Sequence, residues 1–174
     1  MIRTDRLVLR ALRADDLEPL HAILSDPRAM RYWDRPAFES LEDSRRLLEA
    51  FMRDVPRQHL EYAVDLDGAF IGRVGMWKRY EVGFILSPTH WGRGYATEAG
   101  AALIQQVFSQ FPEAEELTGE VDPRNIGSCR VLEKLGFVLR RLGEKDFLYG
   151  DTEWCDTAYY ALPRADAGFF AEKS

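Results

Sequence analysis

The run His90-Trp91-Gly92-Arg93-Gly94-Tyr95-Ala96-Thr97-Glu98-Ala99 most constrains the fold, because it turns a β-rich segment directly into a helix. Upstream, Glu81-Val82-Gly83-Phe84-Ile85-Leu86 reads as a short strand closed by Ser87 and Pro88. Downstream, Ala99, Ala102, Leu103, Val107 and Phe111 recur at helical spacing. Gly92 and Gly94 lack a Cβ, so backbone N–H groups can converge on an anion there, and the helix adds the positive end of its dipole. The stretch reads as a cradle for a diphosphate. A P-loop needs Lys-Ser or Lys-Thr after its second glycine, where Tyr95-Ala96 stands; a dinucleotide fingerprint needs a third glycine and an acid on the next strand. Neither pattern fits, and two glycines in a turn are by themselves more often only a turn.

A second block, Asp122-Pro123-Arg124-Asn125-Ile126-Gly127-Ser128-Cys129-Arg130-Val131-Leu132-Glu133-Lys134-Leu135-Gly136-Phe137, begins and ends like a helix. Asn125 suits an N-cap, and Gly136 suits the left-handed position after the last turn, with Phe137 folding back onto Leu132 or Val131. One β-run, Glu116 to Val121, separates the blocks. Loop, helix, strand, then Asn-x-x-Ser leading to Lys-Leu-Gly-Phe resembles the GNAT superfamily of N-acetyltransferases in both order and spacing. The tryptophan-glycine loop, the Asn-x-x-Ser element and the opening Thr4-Asp5-Arg6-Leu7-Val8-Leu9-Arg10 are similar to its ribosomal-protein N-terminal (Rim-type) branch. The resemblance spans residues 3–163.

The resemblance implies an enzyme that moves an acetyl group from acetyl-CoA directly to a primary amine, either a protein or peptide N-terminus or a small molecule. No acyl-enzyme is formed. Backbone groups near Phe84, Ile85 and Leu86 are expected to pair with the pantetheine arm where two strands splay apart. Trp91, Gly92, Arg93, Gly94, Tyr95, Ala96 and Thr97 are expected to hold the diphosphate. Trp91 stands where the family's loop commonly begins with Gln or Arg, and Arg93 is a substitute source of charge. Asn125 and Ser128 are further cofactor contacts. The family's usual tyrosine acid is replaced by Leu132, so Ser128 is the expected donor toward the departing thiolate, by hydrogen bond or through a water. Glu81 is the expected general base, with Glu120, Asp122, Asp151 and Glu153 as alternatives, each of which also reads as a surface carboxylate. A non-catalytic acyl-CoA sensor and a transferase of a longer acyl group such as succinyl are the competing readings; the latter needs a cation near the thioester.

The chain has 174 residues, which suits one domain, expected over 1–164 with a tail at 165–174. A strand, two helices, a hairpin around Asp67-Gly68, a strand, a helix, a strand, a helix and two final strands give a mixed α/β (α+β) fold. Its sheet is expected to be mostly antiparallel, with about seven strands and about four helices. Asp15 or Asp16 is expected to cap the helix carrying Leu17, Leu20, Ile23 and Leu24, and Ser40 the helix carrying Leu47, Leu48, Phe51 and Met52. A net charge of −6 argues against nucleic acid and favours a cationic acceptor. No apolar run approaches the roughly 20 residues needed to cross a bilayer, and the start lacks a signal-peptide pattern, so no membrane partner and a cytoplasmic location are expected. Cys129 and Cys155 fit a reducing compartment, and His21, His59 and His90 form no metal pattern with the acids. A homodimer is one assembly the sequence allows. Trp33, Phe38, Trp77, Tyr80 and Trp154 are the aromatics least explained by spacing; two in a cleft would favour an acceptor with an apolar portion.

Overall fold

The computed structural model describes residues 1–53 and 60–170. Strands β1 (Ile2–Arg3) and β2 (Leu7–Arg10) open the chain, with Leu7 and Leu9 buried on one face of β2. Helix α1 (Leu17–Leu24) then buries Leu17, Leu20, Ile23 and Leu24 on one side, as the helical period demands. Asp16 precedes α1, but its carboxylate does not cap that helix. It accepts from the Arg13 N–H at 2.8 Å and from the Arg10 guanidinium at 2.7 and 2.8 Å, and Arg10 also reaches Asp65 at 2.6 Å.

Helix α2 (Pro27–Met30) starts on Asp26, which accepts from the Arg28 N–H at 2.8 Å; α3 (Leu41–Met52) starts on Ser40, which accepts from the Asp43 N–H at 3.2 Å. Strands β3 (Leu60–Leu66) and β4 (Ala69–Lys78) are joined by Asp67 and Gly68 at φ +51° and +82°, the turn that matches the strands' twist. Then follow β5 (Glu81–Leu86), α4 (Tyr95–Gln110), β6 (Glu116–Val121), α5 (Ile126–Lys134), β7 (Val138–Tyr149) and β8 (Glu153–Pro163). At the end of α5, Gly136 at φ +83° lets Phe137 N–H reach Leu132 O and Gly136 N–H reach Glu133 O, both at 3.0 Å.

The strands form one sheet in the order β1-β2-β3-β4-β5-β6-β8-β7, antiparallel except for β5 beside β6. Helices α4 and α5 cover one face, where Leu103, Ile104, Val107, Phe111 and Leu132 pack against Leu7, Leu9, Val74 and Leu117. Helices α1 and α3 cover the other, where Leu20, Ile23, Leu24 and Leu48 meet Ile85. The described residues thus hold eight strands and five α-helices, one more of each than the spacing indicates. Two residues of β1 and four of α2 are too short to display a period. Among the described residues no helix is long and apolar enough to cross a membrane.

After Pro163 the described chain continues along the domain through Phe170. Arg164–Phe170 is a 3-10 helix, Ala167 packs on the core, and the Arg164 guanidinium donates to Phe108 O, Phe111 O and Ala114 O at 3.1, 2.6 and 2.7 Å. A single cation thereby satisfies carbonyls left over at the end of α4. His59 and residues 171–174 lie outside the described residues. Arg164→Ala is expected to lower unfolding free energy by about 2 kcal/mol, read from the urea midpoint, because hydrogen bonds to a charged donor are lost from part-buried carbonyls. An unchanged midpoint would remove this role.

Candidate active site

The two parallel strands barely pair. β5 and β6 register at Glu81 with Thr118, and Thr118 N–H donates to Tyr80 O at 2.7 Å. Beyond that point β5 stays with β4 through Leu86 and β6 stays with β8 through Val121, so the strands part toward their C-terminal ends. Ser87 N–H reaches Ile71 O on β4 at 2.8 Å, so alternation turns the backbone of Ile85 to β4 and that of Phe84 and Leu86 toward the gap. Leu86 O is engaged by Trp91 Nε1 at 2.9 Å. Of the residues expected along an acyl donor's arm, Phe84 and the Leu86 N–H face the opening, while the Ile85 side chain enters the α1 and α3 layer.

The double-glycine loop stands at the open end. Gly92 and Gly94 take φ +74° and +81°, a conformation costly for residues with a Cβ, and Gly94 is the residue from which α4 starts. A Cβ at Gly92 would meet nothing within 4 Å, so the space above the loop is open. Arg93 is exposed and its carbonyl accepts from Arg6 Nη1 at 3.0 Å; Tyr95, Ala96 and Thr97 are half-buried in the first turn of α4. Glu98 holds the loop to the chain's opening segment. It accepts from Thr4 Oγ1 at 2.5 Å and Arg6 N–H at 2.9 Å and pairs with the Arg6 guanidinium at 2.7 Å, while Arg6 lies 4.6 Å from the Tyr95 ring centre. Burial pushes the Glu98 carboxyl up, but the bonds from Thr4 and Arg6 outweigh it and hold the group below its ordinary value.

The first turn of α5 follows β6 on the same face as α4. Asn125 Oδ1 accepts from the Ser128 N–H at 3.1 Å, and Ser128 is half-buried, its hydroxyl without a hydrogen bond among the described residues. Two helix N-termini therefore follow the C-terminal ends of two parallel strands, the arrangement that favours an anion.

Glu81 faces the other side of the sheet, with Gly83 and Ile85. Lys78 Nζ lies 3.1 Å from its carboxylate. Glu120 is near Glu81, and its carboxyl is lifted above the ordinary value by desolvation and then by the Glu81 charge. Trp77, 40% exposed, stands edge-on to Phe51 at 6.3 Å on this face, and Trp33 packs on the α1 and α3 layer as Phe38 does. Tyr80 instead packs on Phe111, and Trp154 is exposed. Beneath Trp33 and Phe51 lies an ion pair, Arg73 with Glu61, in which burial lifts the Glu61 carboxyl and Arg73 draws it back.

Asp122 and Glu153, named as alternative bases, are taken up by cations. Arg124 pairs with Asp122 at 2.5 Å and Glu153 at 2.7 Å, and Arg31 reaches Glu153 at 3.4 Å. Both arginines lie over the Tyr32 ring, at 5.7 and 5.1 Å. This network ties the segment after α2 to the β6–α5 turn and to the start of β8. Spacing missed it, as it missed the Arg6–Glu98 clamp and the Glu61–Arg73 pair; the available signal for the last was an arginine in the middle of the apolar run Phe70 to Met76.

A family model described as an acetyltransferase (GNAT) domain matches residues 6–138. The chain, with its split parallel strand pair and double-glycine loop at the open end, belongs to the GNAT acetyltransferase family. It is an acyltransferase. Among curated relatives, "Uncharacterized N-acetyltransferase YnaD" of Bacillus subtilis is 29% identical over 167 residues, covering 92% of this chain and 95% of its own. The spermidine N(1)-acetyltransferase of Escherichia coli K12 is 27% identical over 135 residues, 74% of this chain and 71% of its own. A GNAT-family acetyltransferase structure from Bacillus anthracis superposes with a TM-score of 0.81 at 27% identity, covering 93% and 97% of the two chains. Mycobacterium smegmatis RimJ, in complex with CoA-disulfide, gives a TM-score of 0.79 at 19% identity, covering 94% and 87%, a likeness of fold alone.

Because Glu98 has a depressed folded-state value, its clamp contributes fully above the ordinary glutamate range and is lost as pH falls through the lower folded value. Glu98→Gln is therefore expected to lower the melting temperature at pH 7 and to narrow the gap from wild type in strongly acidic buffer. A gap that stays constant with pH would show that the Glu98 charge does not hold the loop.

Proposed function

We propose that this chain transfers an acetyl group from acetyl-CoA directly to a primary amine within a ternary complex. The observation that carries the reading is the parting of β5 from β6 with the Gly92 to Thr97 loop at the open end. Loop N–H groups and the α4 dipole receive the diphosphate, and Phe84 and the Leu86 N–H pair with the arm that descends toward Gly83. The amine enters from the α1 and α3 side. Its nitrogen attacks the thioester carbonyl, the C–S bond breaks, one proton leaves the nitrogen and the thiolate takes up another, giving an amide and free CoA. Glu81, with Glu120 beside it, accepts the amine proton directly or through water. Ser128, at the α5 N-terminus, donates to the thiolate by hydrogen bond or through a water.

The acceptor is a monoamine with an apolar portion, such as a peptide N-terminus, for which Trp77 offers an exposed indole beside Glu81. This agrees with the Rim-type resemblance. A polyamine is the second reading, raised by the spermidine acetyltransferase relative. It is less favoured because Asp122 and Glu153, which would hold a second ammonium, are already paired with Arg124 and Arg31. Ordered candidates for both proton steps favour turnover over a sensor role.

The test is calorimetric titration with acetyl-CoA, followed by thiol release across a panel of peptides, polyamines and simple amines. Gly94→Glu should abolish acetyl-CoA binding by placing a negative charge in the cradle, with Gly94→Ala as the control for backbone strain; unchanged affinity in Gly94→Glu would sink the loop assignment. Ser128→Ala should lower kcat by roughly tenfold or more while changing the acetyl-CoA Kd far less. Equal activity would leave Ser128 a structural residue.

A further inference from the structure

Arg73 lies in the middle of β4 and is 2% exposed, and the Glu61 side chain is likewise 2% exposed. Arg73 Nη2 sits 2.9 and 2.8 Å from the two Glu61 oxygens, and the guanidinium carbon is 4.5 Å from the Phe51 ring centre. Packing does not require such a pair: apolar residues of similar volume are often at least as stable in its place. Its pairing is also incomplete, since Arg73 Nε and Glu61 Oε2 are buried without a hydrogen bond among the described residues. The sheet makes room for the carboxylate at Gly75, where a Cβ would collide with Glu61; a Cβ at Gly83 would stand in ordinary contact with Arg73 Nη2, 4.0 Å away.

Gly83 is two residues past the pair at which β5 and β6 part. The anion loop follows the other end of β5, so an arm running past Leu86 and Phe84 brings its acyl end toward Gly83. On the acetyl-transfer reading, the guanidinium edge faces the place the acyl end would reach, through the space that a side chain at position 83 would fill.

We propose that Glu61 and Arg73 select the acyl group. This inference rests on the acetyl-transfer reading above. With Glu61 ionised, the pair is neutral, and its carboxylate disfavours an acyl chain ending in a second carboxylate, so a small uncharged acetyl group is taken. Without the Glu61 charge, Arg73 becomes a buried receptor for the terminal carboxylate of a group such as succinyl. The transfer is unchanged in kind: the amine nitrogen bonds to the acyl carbon, the C–S bond breaks, and a proton passes from nitrogen to the departing thiolate by way of the site's groups.

The experiment measures kcat/KM for acetyl-CoA and succinyl-CoA with one amine acceptor, in wild type, Glu61→Gln and the double variant Glu61→Gln/Arg73→Gln. Wild type should prefer acetyl-CoA, and Glu61→Gln should move the ratio toward succinyl-CoA by at least about tenfold. The double variant should lose that shift. An unchanged ratio in a folded Glu61→Gln protein, or an equal shift in the double variant, would overturn the proposal, the latter because room rather than charge would then be responsible. A second measurement needs no variant: wild type should bind butyryl-CoA at least about tenfold more tightly than succinyl-CoA, which has the same chain length and an added charge, and equal affinity would overturn the proposal. Failure of wild type to bind acetyl-CoA at all would overturn the acetyl-transfer reading instead.

Discussion

The single registered pair between β5 and β6 is the constraint on which the rest of the structure depends. Every backbone N–H and C=O that leaves a sheet ladder needs another partner, and the edge of β5 from Phe84 to Leu86 faces a gap rather than β6. The chain satisfies part of this itself, through Trp91 Nε1 on Leu86 O. What remains is a strip of strand edge suited to an extended molecule carrying amide groups. The same gap joins the two faces of the sheet, so a donor held on the α4 and α5 side and an acceptor held on the α1 and α3 side can meet across it. On the proposed reading, transfer occurs at that crossing.

Holding the gap open requires that the loops around it stay in place, and ion pairs between distant segments do this. Glu98 clamps the glycine loop to Thr4 and Arg6, more than 90 residues earlier. Arg31 and Arg124 share Glu153, joining three segments around the mouth. Exposed ion pairs contribute little individually, but Glu98 and Asp122 are half-buried and each accepts several bonds, which increases what is lost when one member is removed. The Glu61–Arg73 pair lies deeper, where its cost in desolvation is largest, and a role in selecting the acyl group accounts for a feature that stability alone does not.

The elements that could be read in the sequence are those whose chemistry is local. Gly92, Gly94, Asn125 and Gly136 each act within a few residues of their own position, and each occupies the turn or cap that its type indicates. The hairpin at Asp67-Gly68 and the buried stripe of α1 follow for the same reason. Asp16 shows the limit: its type and position suit a cap, yet Arg10 and the Arg13 N–H claim the carboxylate. The parting of β5 and β6 was expected from the family resemblance, since no periodicity in either strand records which neighbour it leaves. The links from Arg6 to Glu98, from Arg124 to Glu153 and from Arg164 to the end of α4 were silent because each joins segments 29 to 92 residues apart; only the Arg124 pair with Asp122 is local. A charged residue in an apolar strand, as at Arg73, is the one such signal visible without the fold.

The most direct measurement is the exchange of backbone amide protons on an isotopically labelled sample, with and without acetyl-CoA. Protection should rise at Phe84, Leu86 and the amides of Gly92 to Thr97, with little change along β7. Protection confined to other elements, with the β5 edge and the glycine loop unchanged under saturating acetyl-CoA, would contradict the donor site described above.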